Sequence, residues 1–142
     1  MTRYAPVRGA VAAILVLLTG GSGMAAEPFP FDRDLLLDAA PMRPGKRMPL
    51  LTVEPNGNAR IDLWCRTVQA RMEISDAAVK IEAGPLPEGQ PEMMSAGQCT
   101  SERLQADREL LAALSQVTAW RWADKGIMLE GPKALRFRPS DH

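Results

Sequence analysis

Between Leu50 and Ile81 apolar residues recur at alternate positions, and short turn signals break the runs. Period-two alternation marks strands with one buried and one wet face, and closely spaced turns demand antiparallel pairing. No other feature restricts the fold as tightly. Residues 50–54 read as a strand, and Pro55-Asn56-Gly57-Asn58 as a hairpin turn, because Asn and Gly tolerate positive φ. Residues 59–65 alternate strictly, with Ala59, Ile61, Leu63 and Cys65 on one face. Residues 68–74 alternate in the opposite parity, through Val68, Ala70, Met72 and Ile74. The slip falls inside LWCRTVQARMEI, residues 63–74. It predicts a bend or bulge between two strands, with Cys65 at the corner. Ser75-Asp76 turns the chain and residues 78–82 return. Residues 84–91 (GPLPEGQP) read as a loop and 92–98 as a further strand.

The one helix is predicted over residues 100–116. Thr100 or Ser101 can cap it, and Glu102 suits the first turn. Leu104, Leu110, Leu111 and Leu114 form its apolar stripe, and Arg103 and Asp107 stand one turn apart, suited to a weak pair. Strands resume at 117–123, 127–130 and 135–138, separated by Asp124-Lys125-Gly126 and Gly131-Pro132-Lys133. The expected fold is mainly β. It is a small antiparallel barrel or curled sheet of about 7–8 strands, with the helix inserted before the last three and closing an end or covering an edge.

Ahead of this domain, residues 27–49 carry Pro28, Pro30, Pro41 and Pro44. Proline withholds a backbone donor and resists both helix and central strand. The segment is expected to be an extended arm in which Leu35 to Leu37 make a helical turn or pack as a plug. Residues 140–142 are a tail.

Residues 1–26 read as a signal peptide. Arg3 and Arg8 give a positive start, AVAAILVLL is an apolar run too short to span a bilayer, and GGSGMAA suits a signal peptidase. Cleavage after Ala25 and after Ala26 fit equally. Cleavage removes two of the 17 basic residues and none of the 17 acidic ones. A slightly acidic chain with mixed signs has no nucleic-acid footprint, and no later segment is apolar enough to insert stably in a membrane. The expected location is the periplasm or the exterior, as a monomer.

Two cysteines remain, Cys65 and Cys99. In an oxidising compartment an even count reads as a disulfide. A redox pair lacks its C-x-x-C. Copper held with Met93-Met94 is the third reading, since soft sulfur suits cuprous ion; methionine as core filler is the plainer account. The chemistry-bearing inventory is thin. The single histidine is His142, at the chain's end, and no zinc spacing or Gly-rich phosphate loop is present. The expectation is a chain without catalytic, metal or cofactor residues.

Trp64, Trp120 and Trp122 are the remaining notable set. Trp120 and Trp122 share a strand face opposite Arg121. Arg60, Asp62, Trp64 and Arg66 share the face opposite Ile61 and Leu63. Facing outward, Trp64, Arg66, Trp120 and Trp122 make a candidate binding surface for an envelope protein or an anionic glycan. Facing inward, the tryptophans close the barrel core.

The order WCRTVQARMEISDAAVKI (64–81), SAGQC (95–99), a helix to Leu114, then Ile127-Met128-Leu129 and Leu135-Arg136-Phe137 resembles the META domain of HslJ-like proteins. Cys65, Glu73, Ser75-Asp76, Val79 and Ile81 fall in that family's register. Trp64-Cys65-Arg66 stands where the family has Gly-Cys-Asn, and Val68, Ala70 and Gly97 replace its aromatic, glycine and methionine. The resemblance spans residues 50–139 and is that of a divergent member. It implies an exported, non-enzymatic β-rich module linked to envelope stress, and its paired cysteines imply the disulfide. The competing expectation is a periplasmic inhibitor of a cell-wall enzyme, resembling lysozyme inhibitors, with residues 84–91 as its loop.

Overall fold

A computed structural model describes residues 27–87 and 97–140. The alternating segments form eight antiparallel strands in a closed barrel, ordered as in the sequence. They are β1 (Leu35–Leu37), β2 (Leu50–Val53), β3 (Asn58–Asp62), β4 (Thr67–Ser75), β5 (Ala78–Ala83), β6 (Ala119–Ala123), β7 (Gly126–Glu130) and β8 (Leu135–Pro139). Helix α1 (Ser101–Ser115) sits before the last three, as expected.

The inward positions are the apolar ones. Leu51 faces Ile61, Ile61 faces Val68 and Met72 faces Ile81 across successive pairs. The outward partners of the same pairs are Thr52 with Arg60, Arg60 with Gln69 and Glu73 with Lys80. With Ile61 opposite Val68, residues that share a face in β3 and β4 must differ in parity. That is the source of the slip. The bend at residues 63–66 is a tight hairpin turn, closed by the Leu63 amide donating to the Arg66 carbonyl at 2.7 Å. Strand β3 therefore stops at Asp62 rather than running to Cys65. At the β2–β3 turn Gly57 takes φ +96°, and a Cβ there would lie 2.9 Å from the Met72 carbonyl oxygen, so glycine alone fits.

The arm is the largest departure from expectation. Leu35–Leu37 is neither a helical turn nor a plug but the strand that closes the barrel, pairing with β2 on one side and β8 on the other. The barrel thus starts at Leu35 and not at residue 50. Leu35 and Leu37 are buried while Leu36 faces out. A run of three leucines shows no alternation, so the strand is invisible to a period-two reading. Leu35→Ala is expected to cost about 2–5 kcal/mol, the range for emptying a fully buried leucine site. Urea unfolding of the variant measures it. A loss under about 1 kcal/mol would mean that β1 adds little to the core.

Of the expected strand at 92–98, Gly97 and Gln98 form a turn and a loop. Residues 92–96 lie outside the described residues, as do the signal segment, Met93, Met94 and His142.

Helix α1 is capped by Thr100, whose hydroxyl accepts from the Arg103 amide at 3.2 Å, with Glu102 in the first turn. Its C-terminal half puts Leu110, Ala113 and Leu114 into the core and packs against β5. Between β5 and β6 the ladder is short. Ala78 faces Ala119, flanked by bonds from the Val79 amide to the Thr118 carbonyl and from the Trp120 amide to the Ala77 carbonyl.

Candidate functional site

An up-and-down barrel puts successive connections at alternate ends. One end carries the β3–β4 turn and the start of α1. The other carries the β2–β3, β4–β5 and β6–β7 turns, with the start of β1 and the end of β8.

At the first end the chain is tied by covalent and charged links. Cys65 and Cys99 form a disulfide with Cα atoms 5.8 Å apart, joining the β3–β4 turn to the residue just before the helix cap. Beside it, the Asp107 carboxylate is wholly buried. It accepts from the backbone amides of Cys65 and Arg66 and from Arg66 Nε, each at 3.0 Å. Arg66 also donates to the Leu104 carbonyl at 3.1 Å. One turn earlier on α1, Arg103 is equally buried. Its guanidinium donates to the carbonyls of Trp64 at 2.8 Å, Pro44 at 2.7 Å and Met42. It also lies 5.9 Å from the centre of the Trp64 ring. Burial pulls the Arg103 pKa below its ordinary value; the nearby Asp107 charge opposes this and Arg47 adds to it.

The weak pair expected of Arg103 and Asp107 is instead a buried strut. Each side chain bonds to the backbone of a turn rather than filling its capacity on the other. The signal was present in spacing: 103, 107, 110 and 114 trace one helical stripe, whose first two members happen to be charged.

The four residues of the candidate binding surface do not form one. Trp64 is 6 % exposed and part of the core, because a side chain inside a turn does not follow strand parity. The Arg66 side chain is 13 % exposed and held by Asp107. Trp120 is 8 % exposed and also part of the core. It meets Phe29 edge-on, with ring centres 5.3 Å apart. Its indole N–H has no acceptor among the described residues. Only Trp122 is half-exposed, and it stands at the opposite end of the barrel from Trp64 and Arg66.

That second end holds the main concavity among the described residues, an open groove of about 1250 Å³. Phe31, Ile74 and Trp122 line it as half-buried apolar residues packed on the core. The Trp122 indole N–H donates to the carbonyls of Glu27 and Pro28, at 3.1 and 3.0 Å, which fixes the ring at the groove wall. Phe29 is buried beneath, 5.2 Å from Phe31 between ring centres. The exposed rim is mixed in sign, with Glu27, Asp76 and Asp124 against Arg33, Arg121 and Lys125. Arg121 is paired with Glu130 at 2.9 Å. These residues come from three separated stretches, so nothing in the linear sequence gathers them.

Among the described residues no cluster of histidine, cysteine, aspartate or glutamate is placed to hold a metal ion, and no helix is long and apolar enough to cross a membrane. Of the expected inhibitory loop, residues 84–87 are described and run without regular structure. No family model, curated protein or solved structure matches the chain.

Proposed function

We propose that this chain is an exported, META-like binding module of the cell envelope that works without catalysis. The observation that supports it most is the Cys65–Cys99 disulfide tying the β3–β4 turn to the helix entrance. Such a bond persists in an oxidising compartment, in keeping with the signal-like first 26 residues. The order of strands, helix and strands around it fits the same resemblance. A closed barrel with an open, apolar-walled groove at one end suits binding a guest.

The test is expression of the full chain in a Gram-negative host, followed by fractionation and intact mass. The expected product lies in the periplasm, begins at Ala26 or Glu27 and resists alkylation until reduced. A precursor in the cytosol with two free thiols would overturn the reading. Deleting the gene in its native host should sensitise cells to envelope-directed stress, and unchanged growth under such stress would count against the envelope role. A lysozyme assay decides the rival inhibitor reading. Inhibition would favour it, and none at about 100 μM protein, well above ordinary inhibitor affinities, removes it.

A further inference from the structure

We infer that the groove at the turn end binds an uncharged segment of a glycan chain, with Trp122 and Phe31 as the surfaces on which sugar rings lie. The inference rests on the chain being a binding module, and not on where it is exported. Two observations lead to this ligand class. The first is the wall. Trp122 is half-exposed, and the only polar atom of its side chain is already committed to the Glu27 and Pro28 carbonyls. What it offers a guest is a fixed apolar ring, which suits the C–H faces of a pyranose better than a hydrogen-bonding partner.

The second is charge. Three carboxylates and three cations share the rim, and Arg121 is further offset by Glu130. A balanced rim has no net field to steer a polyanion or a polycation. Planar carboxylates and guanidinium groups around an apolar floor do suit the hydroxyl and amide groups of a neutral sugar, accepting from some and donating to others. The anionic glycan expected from tryptophan and arginine content alone gives way to a neutral one, because the acids of the rim come from other parts of the chain.

The test uses the oxidised chain as its host processes it, with chitohexaose, a soluble uncharged hexasaccharide, as probe. The readout is the set of three tryptophan indole N–H signals in a nitrogen–proton correlation spectrum. The expected result is a saturable shift of the Trp122 signal with Kd of about 1 mM or tighter. Trp64, at the far end, serves as the internal reference and stays in place. Raising salt to about 0.5 M leaves the affinity unchanged, since a neutral guest has no charge to screen. Trp122→Ala weakens binding by about tenfold or more. If that variant fails to fold, Arg33→Ala and Lys125→Ala, both at exposed sites, are expected to weaken binding with an unchanged circular dichroism spectrum.

The inference is overturned if chitohexaose, cellohexaose and maltohexaose at about 10 mM, far above useful affinities, all leave Trp122 unmoved. It is also overturned if heparin alone binds and salt abolishes it, if an unstructured peptide binds in preference, or if the shifts centre on Trp64. Fractionation reads export separately. A groove that takes the sugar in a chain retained in the cytosol would keep this inference and remove the envelope reading.

Discussion

Asp107→Ala should remove about 3–5 kcal/mol of stability, the penalty for breaking a buried charge network by deleting one partner. The carboxylate is the acceptor for the Cys65 and Arg66 amides and for the Arg66 side chain. Alanine leaves two backbone donors without a partner in a dry site, and leaves Arg103 buried without the charge that offsets it. Some buried ion networks can be exchanged for apolar residues at little cost. This one cannot, because its bonds go to main chain that must be satisfied in any variant, including the Met42, Pro44 and Trp64 carbonyls. Asp107→Asn keeps an acceptor and should lose less than Asp107→Ala. Urea unfolding of the oxidised variants gives both numbers, and an alanine variant within about 1 kcal/mol of the parent would show the network to be idle.

Cys65→Ala is the second large effect, expected at about 3–4 kcal/mol. The bond closes a loop between residues 34 apart in sequence, and most of its contribution lies in restricting the unfolded chain. The charged strut and the disulfide join the same two elements, the β3–β4 turn and α1, but they act on different states. Each single variant should therefore fold. The double variant Cys65→Ala with Asp107→Ala should not at 25 °C, because the combined loss approaches the whole stability of a domain of this size, about 5–15 kcal/mol. Far-UV circular dichroism tests this directly. A folded double variant would mean that the barrel interior alone defines the structure.

What the sequence disclosed depends on whether the inward and outward residues differ chemically. Strands β2 to β5 were legible because Ile61, Val68, Met72 and Ile81 alternate with Arg60, Gln69, Glu73 and Lys80. Strand β1 was hidden because Leu36 is apolar although it faces out. Of the two readings open for the tryptophans, the inward one holds for Trp64 and Trp120; the outward one carries strand parity into a turn at Trp64. The strut was missed because a charged pair on a helix ordinarily faces water, whereas here Arg103 and Asp107 begin the stripe that Leu110 and Leu114 continue. The cysteine pairing follows from an even count and the expectation of export, and the structure joins the same two residues. The groove was illegible for a different reason. Its wall and rim are drawn from residues before β1, from the β4–β5 turn and from β6 with its following turn.

The pairing of β1 with β8, Leu35 opposite Pro139, has a consequence for how the molecule comes into being. Of the eight barrel strands, the first to emerge, from a ribosome or through a pore, finds one of its two neighbours only in the eighth. Until then β2 to β5 can assemble as a local meander, but the cylinder has a gap and its apolar interior is open to water. Closure is the most sequence-distant contact in the fold, and such contacts carry the largest loop-closure cost and slow folding. The finished barrel is therefore an all-or-nothing object that a chain truncated near its C-terminus cannot approximate.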